Sequence, residues 1–218
     1  MLGFSGILDE TMSSTIKKQI MQCASLAELQ GLGTDVMCAR IGGREFHRHI
    51  NASGSVGGFV ESTARAMDRA YIGPNAIVAE RALVSDAAGV YDLAIASGDC
   101  WVRDNARVFG KAAVYGYAHV YGEARVYDGA RVFGEAEVFE NAKIFELSLV
   151  FERAHIHGSA EVGGTSWACG DACIRGDARL YNQRVWKRIV FETQWQLNSF
   201  FEEIEIRKEF VDQLLKRS

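Results

Sequence analysis

The sequence has almost no proline, no long apolar run and no excess of basic charge. Pro74 is the single proline, against 22 glycines, which argues against a collagen-like polymer and against a proline-rich disordered chain. Neither a run of eighteen apolar residues nor a secretory signal is visible, so a membrane span and export are not expected. The net charge of −4 excludes a global basic signature for nucleic acid.

Cysteine usage indicates a reducing compartment. The five cysteines are an odd number and show no paired spacing: Cys23, Cys38, Cys100, Cys169 and Cys173. A disulfide framework is therefore not expected, and the sequence predicts a cytoplasmic protein. Met12 offers an alternative translation start to Met1.

A six-residue unit is repeated nineteen times without a break over residues 70–183. Its first position is Ala in sixteen units, and its third position is Val, Ile or Leu in seventeen. Alternate residues of a strand point to the same side, so these two positions face an interior, while Gly, Asp, Glu and Asn at positions five and six predict a turn. Three units close one coil of a β-solenoid, and the whole repeat makes about six coils stacked about 4.8 Å apart.

Two motifs connect this repeat to a known family. Residues 57–62 read GGFVES, and residues 98–108 read GDCWVRDNARV. With the Ala-x-Val-Tyr-Gly units that follow, they resemble bacterial and phage hexapeptide-repeat proteins of the acyltransferase-like superfamily, over roughly residues 50–165. The resemblance implies a left-handed coil, although general crossover rules favour the right hand. The expected fold is an all-β solenoid, a left-handed parallel β-helix of hexapeptide repeats with a small α/β N-terminal cap and a C-terminal amphipathic helix.

Three segments are expected: an N-terminal cap (1–51), the β-helix (52–183) and a C-terminal strand and helix (184–218). In the cap, the pattern predicts a helix from about Thr15 to Gln30, preceded by Ser13 and Ser14 and ended by Gly31. A hairpin at Gly42-Gly43 joins VMCARI to REFHRHI. The repeat register reaches back from Ala70 through Ala64 and Gly58, and as far as Ala52.

The C-terminal segment is predicted to close the solenoid or to join two copies. Residues 184–191 are expected to form one last strand. A capping box of Thr193 with Gln196, or of Ser199 with Glu202, then opens a helix with a broad apolar face. The favoured interpretation is a cap on the last coil, and the alternative is an oligomerisation helix.

Positions two and four point outward, and every third unit stacks on the same face of the solenoid. Eight consecutive units, from Phe109 to Phe151, carry an aromatic ring at position four, which predicts ladders of stacked rings. The first face combines a basic and an aromatic column: Arg107, Arg125, Lys143, Phe109, Tyr127 and Phe145. Such a face can bind single-stranded nucleic acid or an acidic protein. Glu161 interrupts the column, however, so a solvated face is favoured and nucleic acid is not expected.

The second face is largely apolar at both outward positions. Its members form a predicted interaction face: Ile77, Ile95, Tyr115, Phe133, Leu149, Phe151 and Trp167. A continuous strip of this kind exceeds the apolar patch that a soluble monomer usually exposes. Another copy, a terminal helix or a partner protein is therefore expected to cover it.

The third face carries the candidate catalytic residues. Acyltransferases of the resembling superfamily use an outward histidine as a general base at a trimer interface, so the resemblance implies acyl-CoA as cofactor and the following candidates: His119, His155 and His157. The loop usually extruded from the coil near such a site is missing from all nineteen units. The γ-class carbonic anhydrases share the fold and bind zinc through three histidines, but Arg175 beneath His157 would repel a cation, so no metal is expected.

These observations favour a non-enzymatic β-helical scaffold that self-associates as a trimer or dimer and presents a flat face to another protein, without a cofactor. The resemblance to phage-borne proteins implies a binder or inhibitor of a host protein complex. The alternative is a hexapeptide-repeat acyltransferase acting at a trimer interface. A deep cleft at the three histidines would favour the enzyme, and a flat surface the scaffold.

Overall fold

The computed structural model describes residues 20–186 and 188–215. The predicted serine caps at Ser13 and Ser14 and the alternative start at Met12 lie outside these residues. Between residue 20 and the coil, the chain forms three strands and a short helix: β1 (Ile20–Cys23), α1 (Leu26–Gln30), β2 (Cys38–Ile41) and β3 (Arg44–Ile50).

The predicted helix from Thr15 to Gln30 is wrong for residues 20–23 and confirmed for residues 26–30. Residues 20–23 form β1, which pairs in parallel with β2. The helix α1 begins only after Ser25, whose Oγ accepts the N–H of Glu28 at 3.3 Å, and it ends at Gly31 as predicted. Pairing with a neighbouring strand decides the β conformation of residues 20–23, and a local pattern of apolar residues does not reveal such pairing.

The hairpin predicted at Gly42 and Gly43 is confirmed. β2 and β3 pair antiparallel, and both glycines have positive φ angles, 54° and 87°, as a two-residue hairpin turn of this type requires. The chain then enters the coil through β4 (Val56–Glu61), which pairs antiparallel with β3. Gly58 and Ala64 are buried, as the register predicts, whereas Ala52 is exposed in the turn before β4 and does not point inward.

The solenoid has three parallel sheets, one on each face, because each six-residue unit contributes one short strand. The sheet of the second face continues from β1–β3 and β4 through β7 (Ile77–Val78), β10 (Ile95–Ala96), β13 (Ala113–Val114), β16 (Arg131–Val132), β19 (Leu149–Val150), β22 (Trp167–Ala168) and β25 (Arg184–Val185). The sheet of the third face contains β5 (Arg65–Ala66), β8 (Leu83–Val84), β11 (Trp101–Val102), β14 (His119–Val120), β17 (Glu137–Val138), β20 (His155–Ile156), β23 (Cys173–Ile174) and β26 (Val190–Phe191).

The sheet of the first face contains β6 (Tyr71–Ile72), β9 (Gly89–Val90), β12 (Arg107–Val108), β15 (Arg125–Val126), β18 (Lys143–Ile144), β21 (Glu161–Gly163) and β24 (Arg179–Tyr181). Arg107 lies opposite Arg125, eighteen residues later, as the repeat predicts. The assignment of outward residues to three faces is therefore confirmed.

Small and branched side chains fill the interior. Ala118 and Val120, at positions one and three of one unit, have no exposed surface. Where serine replaces Ala at position one, its hydroxyl is satisfied: Ser148 donates to the carbonyl of Phe145 at 2.7 Å, and Ser166 to that of Gly163 at 2.6 Å. Burial raises the pKa of Cys100, the third exception, to about 12. It is therefore a neutral thiol that packs like an apolar residue.

Acidic residues at position five of the unit adopt a left-handed backbone conformation, with φ of 61° at Asp104 and 56° at Glu140. Their side chains reach the next coil. Asp104 Oδ2 accepts the N–H of Gly122 at 3.0 Å, and Glu140 Oε2 accepts that of Gly158 at 2.6 Å. Each of these hydrogen bonds satisfies a turn N–H, which offsets the strain of a side chain at positive φ.

The coil continues beyond Gln183 in two short strands, so the single strand predicted for residues 184–191 is wrong. Trp167 lies opposite Arg184, and Cys173 opposite Val190, in each case seventeen residues later. The last coil is therefore one residue shorter than those above it, and the strict repeat pattern misses its strands.

The helix α2 (Gln194–Leu215) follows the last strand. The predicted capping box is confirmed: Thr193 Oγ1 accepts the N–H of Gln196, and Gln196 Oε1 accepts the N–H of Thr193, both at 3.3 Å. Leu197 is fully buried in the solenoid core, and the Phe200 ring packs edge-on against Phe191. These contacts favour the interpretation of α2 as a cap on the last coil. In the described part of the chain, no helix has both the length and the apolar character needed to cross a bilayer.

Candidate functional site

The N-terminal end of the second face is covered by the N-terminal cap of the same chain. Ile77 has no exposed surface and belongs to a cluster with Leu29, Phe46 and Phe59, against which Ile95 is partly buried. The N-terminal cap therefore occupies the first part of the predicted interaction face, around Ile77, and this residue is not available to a partner. Sequence analysis could not place the cap over Ile77, because β1–β3 extend the same sheet only through tertiary pairing.

Below the cap, the second face presents a continuous aromatic column. The rings of Tyr115, Phe133 and Phe151 stack at 4.9 and 5.0 Å with interplanar angles of 2°. Trp167 meets Phe151 edge-on at 6.2 Å. All of these side chains are half-buried or exposed, and Leu149 is half-buried beside them. We call Tyr115, Phe133, Leu149, Phe151 and Trp167, with the two residues described next, the aromatic strip.

Two residues that the sequence analysis missed extend this strip. Arg184 lies 4.0 Å above the ring of Trp167, and Trp186 occupies the outward position one coil below Cys169, with 59% of its surface exposed. Both follow the one-residue shortening of the last coil and therefore fall outside the regular six-residue count. The strip thus runs from the N-terminal cap to the end of the solenoid.

The first face has its predicted columns, but part of its charge is neutralised internally. Glu161 lies between two cations, 2.9 Å from Lys143 and 3.4 Å from Arg179. The Tyr127 ring stacks between Phe109 and Phe145, and burial raises the pKa of its hydroxyl. The aromatic column is therefore a ladder of stacked rings within the fold. Glu161 neutralises part of the basic column at its C-terminal end, so the positive charge is concentrated at its N-terminal end.

The three candidate histidines separate into two sites on the third face. His119 and His155 line an open groove of about 470 Å³, together with Tyr117, Glu135, Glu137 and Arg153. Along the column, Glu137 lies between the two histidines, and its Oε2 is 3.7 Å from His155 Nδ1. The groove is open to solvent and lined by charged and aromatic residues, so it is neither the deep cleft expected of the enzyme nor the flat surface expected of the scaffold.

Glu137 also holds a neighbouring phenol. The Tyr121 hydroxyl donates to Glu137 Oε2 at 3.2 Å. Desolvation, and secondly the Glu137 charge, raise the pKa of Tyr121 to about 12. Glu137 is therefore fixed by a phenol as well as facing an imidazole.

His157 belongs to a different set of neighbours. Its ring stacks on Phe139 at 4.5 Å, its Nε2 lies 3.6 Å from Cys173 Sγ, and its Nδ1 lies 3.5 Å from Glu140 Oε2. Cys173 lies one coil below His155. The sequence analysis did not predict its contact with His157, because side-chain rotamers decide it. Among residues 20–186 and 188–215, no three His, Cys, Asp or Glu side chains are arranged to hold a metal ion.

No known protein-family model matches this sequence, and no curated protein is significantly similar to it. The relation to hexapeptide-repeat proteins thus stays a prediction that depends on the repeat and on the GGFVES and GDCWVRDNARV motifs, as does the left hand of the coil. The parallel β-solenoid itself is shown by the strand pairing.

Proposed function

We propose that this chain is a non-enzymatic β-solenoid scaffold that associates with a second copy of itself through the aromatic strip. The observation that carries the proposal is the unbroken column of Tyr115, Phe133, Phe151 and Trp167 between the two caps. The chain's own elements cover both ends of the solenoid, and the strip lies between them. Apolar surface of this extent favours burial against another molecule.

The fold makes such burial efficient. The rings of Tyr115, Phe133 and Phe151 are held by stacking on the ring one coil away, so few of their rotamers remain to be ordered on binding. A symmetric pair buries the same strip from both copies, which is the commonest arrangement in homo-oligomers. Arg184 over Trp167 adds a guanidinium at the edge, a residue type enriched at interface hot spots.

Replacing Phe133 by Asp is expected to convert the oligomer into smaller particles. Phe133 lies mid-strip between Tyr115 and Phe151, so a carboxylate there would replace a stacked ring in the centre of the proposed interface. A hot-spot loss of about 2 kcal/mol or more corresponds to a dissociation constant raised roughly 30-fold. Light scattering across a concentration series measures the change, and circular dichroism should show unchanged β content.

Phe139→Asp is the matched control for this experiment. Phe139 lies in the middle of the third-face ladder, between Tyr121 and His157, and is half-buried like Phe133. It should lose a similar amount of stability, about 0.5–1.5 kcal/mol beyond area burial for a lost ring pair, without changing particle mass. A wild type that is monomeric at micromolar concentration would contradict self-association.

The acyltransferase remains the second candidate, and the groove of the third face supports it. His119 and His155 flank Glu137 there, so an imidazole oriented by a carboxylate is present. We expect, however, that replacing His119, His155 and His157 together by Gln leaves oligomer mass unchanged. Release of free CoA from acetyl-CoA in the presence of amine acceptors should be equally slow in both proteins. Histidine-dependent release by the wild type would establish the enzyme instead.

The partner beyond the second copy is inferred from the resemblance. The repeat resembles phage-borne hexapeptide-repeat proteins. This resemblance supports a role as a binder or inhibitor of a host protein complex in the cytoplasm. A rigid oligomer would present its remaining faces in a fixed arrangement to such a complex. Capture from host lysate by the wild type, set against capture by Phe133→Asp, tests whether the oligomer is needed.

A further inference from the structure

The neighbours of His157 form a connected set on three successive coils. Glu140 is held at its turn by the N–H of Gly158, at 2.6 Å from Oε2, and the same oxygen faces His157 Nδ1. Stacking on Phe139, with an interplanar angle of 5°, sets the plane of the imidazole. The other ring nitrogen then faces Cys173 Sγ. A nucleophile, a base and a group that orients the base are thus present in order.

The thiol requires that base. Burial raises the pKa of Cys173, although the nearby Arg175 acts in the opposite direction, so the thiol is protonated at neutral pH. A neutral thiol reacts slowly until its proton is removed. His157 Nε2, at 3.6 Å, is positioned to take that proton, and both Cys173 and His157 are only half-buried.

The backbone around Cys173 limits the chemistry. The N–H of Cys173 donates to Ile189 O at 2.8 Å, and the N–H of Arg175 donates to Phe191 O at 2.7 Å. These two donors are committed to the sheet and cannot stabilise the oxyanion of an acyl-transfer intermediate. Thiol–disulfide exchange develops its charge on a departing sulfur and needs no such donors.

We propose that Cys173 is a site of thiol–disulfide exchange with small disulfides, in which His157 acts as the general base and Glu140 positions it. The Cys173 sulfur bonds to one sulfur of the disulfide, the S–S bond of that reagent breaks, and the leaving thiolate takes the proton from His157. One disulfide is consumed, and one mixed disulfide and one thiol are formed, so electrons balance. Cys169, four residues earlier, lies on the second face with its thiol directed to Val185 O, so the mixed disulfide persists.

The test is thiolation of the full chain by oxidised glutathione, followed by peptide mass mapping over time. Cys173 should react about tenfold or more faster than Cys23, which is similarly half-buried and has a raised thiol pKa. Cys38, whose Sγ lies 3.3 Å from His47 Nδ1, is a second Cys–His pair and should also react faster than Cys23. Reaction at Cys23 as early as at Cys173 would overturn the proposal.

Two variants separate base catalysis from simple exposure. His157→Gln should lower the rate at Cys173 roughly 10- to 100-fold while leaving Cys23 unchanged, and Glu140→Gln should lower it less. The wild-type and His157→Gln rates should depend differently on pH, because in the variant the thiol must ionise without a base. The other titratable or charged groups around the pair are His155, Arg175 and Glu192. An unchanged rate or an unchanged pH profile in both variants would exclude His157 as the base.

Discussion

Arg48→Met is expected to destabilise the chain by at least about 3 kcal/mol and to loosen the N-terminal cap from the solenoid. Arg48 is 6% exposed and donates to five backbone carbonyls. The acceptors are Leu32 and Gly33, each at 2.7 Å, Val36 at 3.1 Å, Gly57 at 3.2 Å, and Pro74. The guanidinium also lies 3.8 Å from the centre of the Phe59 ring. One side chain thus joins the loop after α1 to the first coil.

The expected loss of stability is large because the substitution leaves buried carbonyl groups without their hydrogen-bond donor. Met fills part of the volume but supplies no donor, so five carbonyl oxygens lose a charged partner in a largely buried place. Arg48→Lys should recover little, because an ammonium has three donors and lacks the planar fork. Arg65→Met, on the exposed strand β5, is the control and should change stability by less than about 0.5 kcal/mol.

Urea denaturation and hydrogen exchange together measure this prediction. The unfolding midpoint should fall, and amides of residues 26–61 should exchange faster than those of the central coils. If the midpoint and the exchange of the cap both stay at wild-type values, Arg48 does not hold the cap in place.

Ala118→Leu is expected to cost about 1–3 kcal/mol or more, because the interior of the coil cannot accept a larger side chain. Ala118 has no exposed surface, and its own coil brings alanines and valines toward it from all three faces. The strands are tied to the coils above and below by regular hydrogen bonds, such as Trp101 N–H to Ala118 O at 3.0 Å, so the backbone cannot move outward freely.

Ala113→Leu is the matched control in the same part of the coil. Ala113 is at an outward position of β13 and is half-buried, so the added carbons have room on the second face. Thermal unfolding at one low protein concentration should show a lowered midpoint for Ala118→Leu and a near wild-type midpoint for Ala113→Leu. Equal midpoints for the two variants would mean that the inward and outward positions have the same room for a larger side chain.

The architecture could be predicted because the repeat carries two periods at once. Alternation along each strand separates Val120 from His119, and the period of three units places His119 against Trp101 and Glu137. Both are properties of the backbone, so a single sequence is sufficient to assign faces and register.

The features that the sequence did not predict depend on tertiary contacts, which the periodicity of the repeat does not encode. Residues 20–23 are a strand because β2 is beside them, and Ile77 is buried because the cap lies over it. Trp186 joins the strip only after a shortened coil. The pairing of His157 with Cys173 and the separation of His157 from His155 are matters of rotamer, which the repeat leaves open. The sequence therefore predicted which face carries the candidate residues, but it did not predict which side chains contact one another there.

The shortened coil shows where the solenoid can absorb a change in chain length. Arg184 and Val190 lie opposite Trp167 and Cys173, seventeen residues later instead of eighteen. Val185 and Phe191, which follow the shortening, are still buried in the core. The missing residue is therefore taken up by a turn, and the alternation of inward and outward side chains along the later strands is kept. A change of one residue inside a strand would reverse that alternation, so turns are the places where the repeat tolerates single-residue gain or loss.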